Sequence, residues 1–516
     1  MLKRVVFGVV AACSITAAAL AEEPKAGGVI NAVVQPEPPS LMMGLVQNGP
    51  TQMVGGNIYE GLLRYSPKLE PEPELAESWS ASEDGKTYTF HLRKGVAWHD
   101  GKPFTSADVV FSTEFLKQTH ARARGNLAQV ERIETPDDYT VVFTLKQPFG
   151  PFLGIFEVGS LPMIPKHIYE GTDFKTNPAN NTPIGTGPFM FKEWQKGAFI
   201  HLVKNPNYYI KGKPSIDEIY WHIIPDAAAR AVAFETGKVD VLPGGSVENF
   251  DVPRLSKLKN VCVTGAGWEF FSPHSWLWLN NRSGPTANKK FRQALMYAID
   301  RNFARDVIWN GYGKVATGPS ASSIKFYTDQ VTNYDYDPAK AKALLKEAGY
   351  SGEKLRLLPL PYGETWQRWA EAVKQNLADV GINVEMVATD VPGWNQKIAD
   401  WDYDIAFTYL YQYGDPALGV ARNYVSSQIA KGAQFNNVEG YTNPAIDQLF
   451  AEGANAVPDS RRSEIYAKAQ KILVDDVPVA WQLELQFPTI TRCSIKNLVT
   501  TAIGVNDGFR DAWIDK

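Results

Sequence analysis

Residues 364–386 read ETWQRWAEAVKQNLADVGINVEM. Trp366, Trp369, Ala370, Val373, Leu377 and Val380 recur at spacings of three and four, which predicts a helix from Glu364 to Val380 with one apolar face. Gly381 ends it, and Ile382, Val384 and Met386 then alternate as a strand. Upstream, Asp337 and Pro338 supply a cap and a first-turn proline for a helix from Ala339 to Ala348, closed by Gly349. Downstream, Tyr403 to Tyr411 predicts another strand. Helices alternating with strands between about 337 and 411 predict α/β architecture, here a mainly parallel sheet with crossover helices.

Away from this segment the pattern changes. From about 56 to 182 the chain carries hairpin-like pieces, Thr87 to Leu92 and Tyr139 to Leu145, around one helix at Ser106 to Lys117, which predicts an inserted α+β subdomain. Two late helices, Pro444 to Ala456 and Asp459 to Val474, lead to a strand at Val479 to Leu485. The Pro- and Asn-rich stretch Thr176 to Pro183 marks a boundary. A chain that enters one lobe, crosses to a second and returns at its end has its crossings near 268 and 488. The length of 516 residues, at about 150 per unit, fits about three compact units.

Composition narrows the function classes. With 52 Lys+Arg against 56 Asp+Glu, no basic excess exists to neutralise a nucleic-acid backbone or to hold an anionic membrane. The first residues form a secretory leader: Lys3 and Arg4, an apolar stretch to Leu20, and Ala19-Leu-Ala21 before Glu22, so residues 1–21 are read as a cleaved signal peptide. Val10-Ala-Ala-Cys13 is a lipobox look-alike, but the apolar run continues past Cys13 and cleavage without lipid is expected. The other cysteines, Cys262 and Cys493, lie 231 residues apart; Cys262, within Val261-Cys-Val263, is expected to be a small buried hydrophobe rather than half of a disulfide.

Motifs for covalent chemistry are scarce. A G-x-S-x-G elbow and a Walker loop are absent. Ser322 to Lys325 satisfies S-x-x-K without the S-D-N and K-T-G partners that acyl transfer requires. Seven histidines show no i,i+4 pair and no Cys-His spacing suited to zinc. Aromatic residues stand out instead: 14 Trp, 22 Tyr and 25 Phe, enough to build a cleft lined by flat rings as well as a core. Trp366 and Trp369 share the helix face with Leu377, and Trp276-Leu-Trp278-Leu279 is apolar in both alternation rows, so both groups are assigned to packing. Tyr409, Tyr411 and Tyr413 differ, because they sit at a strand's carboxyl end running into Gly414-Asp-Pro416, where open α/β sheets bind ligands.

Several segments together carry a family resemblance over essentially the whole mature chain. They are Ala76 to Phe111, Gly185-Thr-Gly-Pro-Phe189, Asn205-Pro-Asn-Tyr208 with Gly212-Lys-Pro214, Leu277 to Asn280 with Phe291 to Leu295, Tyr336 to Gly349, and Trp401-Asp-Tyr-Asp404 through Pro416. In these the chain resembles the family 5 extracellular solute-binding proteins of bacterial ABC importers. The resemblance implies an α/β, periplasmic-binding-protein type II-like two-lobed clamshell with an extra α+β subdomain, of the group termed cluster C. Lobe I is then 22–55, 183–267 and 489–516, with the inserted subdomain at 56–182, and lobe II is 268–488.

The same resemblance implies a monomeric periplasmic receptor, not an enzyme and without cofactor, metal or nucleic-acid partner. It would close on a peptide or peptide-like organic solute and deliver it to an ABC permease complex in the inner membrane. An oligosaccharide or opine-type solute is the alternative, with a nickel chelate or a secreted hydrolase further behind. Residues placed near the ligand are Glu37, Tyr362, Trp394, Tyr409, Tyr411, Gln412, Asp415 and Trp481. Dipeptide receptors carry an aspartate where this chain has Gln412, and the arginine they set against the peptide carboxylate is missing from Leu360 to Tyr362. The two departures argue against a free dipeptide.

Overall fold

A computed structural model of the protein describes residues 24–516; the expected leader and Cys13 lie outside the described residues. Two large sheets divide the chain. The seven-stranded sheet runs in the order Val261–Thr264, Thr489–Arg492, Val241–Leu242, Val29–Val34, Glu218–Ile223, Phe199–Lys204, Phe189–Gln195. The six-stranded sheet runs Gly313–Val315, Val479–Leu485, His274–Leu279, Ile405–Leu410, Leu355–Leu358, Val384–Met386. All strands of the second sheet fall between residues 274 and 485, so the chain passes between the sheets twice, once on each side of that range. The two passages are tied together: the Trp268 indole N–H donates to the Phe487 carbonyl at 2.8 Å.

The second sheet corrects the expectation of a mainly parallel arrangement. Leu355–Leu358 does run parallel to both Val384–Met386 and Ile405–Leu410, with the helices Glu364–Asp379 and Val391–Asp400 as crossovers. The other three pairings are antiparallel. The reason is the entry and exit of the chain: it arrives along His274–Leu279 and leaves along the neighbouring Val479–Leu485, so these two central strands must oppose each other.

Local signals set the helix ends to within a residue or two. The Asp337 carboxylate accepts from the Lys340 amide at 2.9 Å at the start of Pro338–Glu347. Gly349 (φ 71°) and Gly381 (φ 90°) take the left-handed conformation just past the two helix ends, where a side chain would be strained. Trp366, Trp369, Ala370, Val373 and Leu377 form the buried face of the 364–379 helix, and all six residues of His274–Leu279 are buried. The Thr87–Leu92 and Thr140–Leu145 strands pair with each other inside a separate four-stranded antiparallel sheet, packed by the helix Ser106–Thr119.

The cysteines overturn another expectation. Cys262 and Cys493 form a disulfide, with Cα atoms 5.0 Å apart. Val261–Thr264 is the outermost strand of its sheet, and alternation turns Val261 and Val263 toward the apolar cluster of Phe234, Leu255 and Ile490 while Cys262 faces solvent. The Cys493 amide donates to the Asn260 carbonyl at 3.0 Å, which holds the two thiol-bearing segments side by side.

Candidate functional site

The carboxyl end of Ile405–Leu410 is where the two sheets and both chain passages meet. Pairing register fixes which side chains face which way: Tyr409 lies opposite Ser275, and Thr408 opposite Trp276, which in turn lies opposite Trp481. Tyr409 and Phe407 therefore project to one face and meet the 364–379 helix, where Tyr409 stacks on Trp366 (5.5 Å, 15°) and Phe407 packs on Trp369. Trp276, Trp278 and Trp481 project to the other. There Trp278 stacks on Trp394 at 5.9 Å, and the Trp481 indole donates to the Tyr424 hydroxyl at 2.9 Å.

Past the strand the aromatic face continues as a ladder. Tyr362 meets Tyr409 edge-on at 6.3 Å, Tyr409 meets Tyr411 at 5.9 Å, and Tyr411 meets Tyr413 at 6.3 Å. Rings from both passages join it: Phe271 lies 5.2 Å from Tyr411, and Phe487 lies 5.6 Å from Tyr409 and 5.3 Å from Trp268. Tyr362 is 44% exposed, so the ladder opens to solvent at that end. Burial, and then the neighbouring Tyr362, pushes the Tyr409 hydroxyl up to about 12, and burial drives Tyr411 higher. Both phenols are therefore neutral at pH 7, able to donate and accept hydrogen bonds without charge.

The turn beneath the ladder is held rigidly. Gln412 is 1% exposed and its amide is fully engaged: the oxygen accepts from the Ala321 amide at 2.8 Å, and the nitrogen contacts the Pro319 carbonyl at 2.8 Å and His274 Nδ1 at 3.1 Å. Asp415 receives both terminal nitrogens of the buried Arg462, at 2.7 and 2.8 Å. Tyr413 (φ 53°) and Gly414 (φ 71°) make the left-handed turn between them, and a Cβ on Gly414 would meet the Phe270 ring at 3.3 Å.

The family profile for bacterial extracellular solute-binding proteins, family 5 Middle, matches residues 70–432, more than half of the chain. The chain belongs to this family. It is 30% identical to the dipeptide-binding protein of Escherichia coli K12 over 436 residues, 79% of each chain. Among solved structures, the periplasmic binding protein DppA of Helicobacter pylori in complex with the peptide STSA superposes with TM-score 0.81 at 29% identity, covering 95% of this chain and 99% of that one. AgaA from A. tumefacien R10 in complex with agropinic acid gives TM-score 0.81 at 27% identity over 95% and 99%. Family 5 membership makes this a solute-binding protein of the ABC-importer type with the type II-like fold.

Within the family 5 frame, the structure sorts the eight residues singled out from sequence. Tyr362, Tyr409 and Tyr411 come together in the ladder. Trp394 and Trp481 are fully buried on the opposite face of the sheet, and Gln412 and Asp415 have their side chains engaged within the protein. Glu37 is occupied elsewhere, accepting from the Trp194 indole at 2.9 Å and the Gly197 amide at 3.0 Å at a hairpin turn. The S-x-x-K pair is not an acyl-transfer pair: the Ser322 hydroxyl donates to Glu484 at 2.6 Å and accepts from Lys314 at 2.9 Å, while Lys325 faces Asp459. Among the described residues no group of three or more His, Cys, Asp or Glu could hold a metal ion, and no helix is long and apolar enough to cross a membrane.

Three charged residues that sequence reasoning passed over converge here. Arg122 and Arg422 both face the Tyr413 ring. Glu248, which precedes the first passage, reaches the start of the 364–379 helix; its carboxylate accepts from the Glu364 amide (3.3 Å), the Thr365 amide (3.2 Å) and the Thr365 hydroxyl (2.6 Å). Gly363 at the helix cap position has no side chain to do this. A glycine at the N-cap with no local acceptor was the one legible hint that a cap arrives from elsewhere.

Proposed function

We propose that this chain is the periplasmic substrate-binding component of an ABC importer, enclosing a peptide or peptide-like organic solute between two lobes and handing it to the inner-membrane permease. The aromatic ladder carries this reading: neutral phenols and rings from the strand end and both passages converge where the two sheets face each other. In it lobe I is 22–55, 183–267 and 489–516, the inserted subdomain is 56–182 and lobe II is 268–488. Tyr362, Tyr409 and Tyr411 touch the solute; Trp394, Gln412, Asp415 and Trp481 stiffen the wall behind them. A disulfide supports an oxidising compartment, as does the leader read at residues 1–21. No covalent step is needed: open and closed forms differ by a few kcal/mol, and contacts to both lobes favour closure.

The test is native mass spectrometry of solute retained through mild purification, followed by thermal shift with peptides, sugars and opines. A true cargo at a hundred times its Kd stabilises by about 2.7 kcal/mol and lowers the radius of gyration. A scattering profile unmoved by any solute that binds would refute the clamshell. An opine-type cargo is the second reading, favoured by Gln412 standing in place of the dipeptide receptors' aspartate and by the likeness to AgaA, solved with agropinic acid.

Closure also has an internal contribution from Glu248. A carboxylate at a helix N-terminus is worth about 1–2 kcal/mol, and this one joins the chain before the first passage to the second sheet's helix. Glu248→Gln keeps the shape and removes the charge. The cargo-free protein should shift toward the open form by roughly 5- to 30-fold in the open-to-closed ratio, seen as a larger radius of gyration. An unchanged cargo-free scattering curve would show that the contact does not bias closure.

A further inference from the structure

Tyr413 is flanked by two cations that arrive from distant parts of the chain. The guanidinium carbon of Arg122, in the short helix Ala121–Asn126, lies 3.8 Å from the ring centroid, and that of Arg422, in the turn Ala421–Asn423, lies 5.8 Å away. A face of a tyrosine attracts one cation modestly. Two cations at one ring repel each other, so an anion is needed for both to be comfortable.

The chain supplies little anion. Arg122 donates to the Gln47 amide oxygen at 3.2 Å and to the Gly159 carbonyl at 3.4 Å, both neutral acceptors. Among the described residues Arg422 makes no hydrogen bond or ion pair, and its Nε is buried with no protein partner. The acidic groups nearby are committed or weakened. Asp415 is held by both terminal nitrogens of Arg462. Glu157 is buried, its carboxyl raised by desolvation despite the pull of Arg122, and one of its oxygens accepts from the Gly159 amide. Burial, and then Arg122, makes the positive charge on Arg422 harder to keep. A guanidinium without a partner in such surroundings is destabilising, and it persists where something from outside completes it.

We propose that Arg122 and Arg422 form a two-armed site for a carboxylate of the cargo, with the Tyr413 ring as its floor. Planar guanidinium forks match a carboxylate's two oxygens. One arm comes from the inserted subdomain and the other from the turn after Gly414-Asp-Pro416, so a bound carboxylate bridges the two sides and draws them together. The site rests on the receptor reading above and narrows it: the cargo carries an acidic group, and neutral sugars or amides are poor substitutes. It also supplies the positive charge whose absence near Leu360 to Tyr362 counts against a free dipeptide.

Calorimetry with matched probes tests this: trialanine against trialanine amide, and glucuronic acid against glucose, each with the wild type, Arg422→Gln and Arg122→Gln. A charge-assisted pair is worth a factor of about 10–100 in affinity. The wild type should prefer the carboxylate member of whichever pair binds by that factor, and each variant should lose most of the preference. Binding confined to the peptide pair or to the sugar pair tells which kind of molecule brings the carboxylate. A neutral member bound as tightly as its acid, or a preference that survives in both variants, overturns the carboxylate site while leaving the receptor reading intact. No binding by any probe, with no retained solute, removes the receptor reading and this site with it. A second measurement needs no cargo: Arg422→Met removes an unpartnered charge and should raise the melting temperature of the empty protein. A lower melting temperature would mark Arg422 as a structural residue and sink the proposal.

Discussion

Replacing Arg462 with methionine should destabilise the protein by about 3–5 kcal/mol, the usual result of leaving one charge of a buried pair alone. The Arg462 side chain is 1% exposed and the Asp415 side chain 6%. Beyond the two bonds to Asp415, Arg462 Nε donates to the Gly453 carbonyl at 2.7 Å, so three segments depend on one guanidinium. Burial works against its charge, but the Asp415 carboxylate outweighs that and holds the guanidinium protonated. Asp415→Asn should lose a similar amount, since it leaves Arg462 facing a neutral amide. The double variant should lose clearly less than the sum of the two, because no charge is then left stranded. Denaturant unfolding of the cargo-free protein measures all three. Single variants within 1 kcal/mol of wild type would mean that the pair does not hold the turn beneath the aromatic ladder.

Cys262→Ser/Cys493→Ser should lower stability by about 2–5 kcal/mol, because the bond closes a long loop in the unfolded chain. The loop spans 231 residues and contains every strand of the six-stranded sheet. The loss should be concentrated in the seven-stranded sheet, whose outermost strand Val261–Thr264 pairs only with Thr489–Arg492. Cys262 is exposed, so reductant should reach the bond without prior unfolding. Melting curves of the wild type with and without reductant, beside the serine variant, make the comparison. Coincident curves would show that the bond adds nothing to the folded state's advantage.

What could be read from the sequence was what depends on near neighbours. The 364–380 periodicity, the glycines after each helix and the doubly apolar Trp276-Leu-Trp278 run are local patterns, and each led to the element found. Direction within a sheet is not local. The antiparallel half of the six-stranded sheet follows from where the chain enters and leaves, which no short window contains. Burial of Cys262 was misjudged for a related reason: an apolar triplet looks the same in a central strand and in an outer one, and only the strand order separates the two. The candidate site divides in the same way. Tyr409 and Tyr411 were marked by their place at a strand end, whereas Arg122 and Arg422 lie 300 residues apart and meet at Tyr413 only through the fold. Trp394 and Trp481 are aromatic like the ladder residues, and only the pairing register places them on the far face.

The Trp268–Phe487 bond ties the only two covalent routes between the sheets at a single point. Two ribbons pinned together yield far more easily to folding about the pin than to twisting or sliding. Motion of one half against the other should then reduce to one angle. A single pair of spin labels across the mouth would suffice to read that angle, and additional pairs should report it with the same midpoint and the same rate.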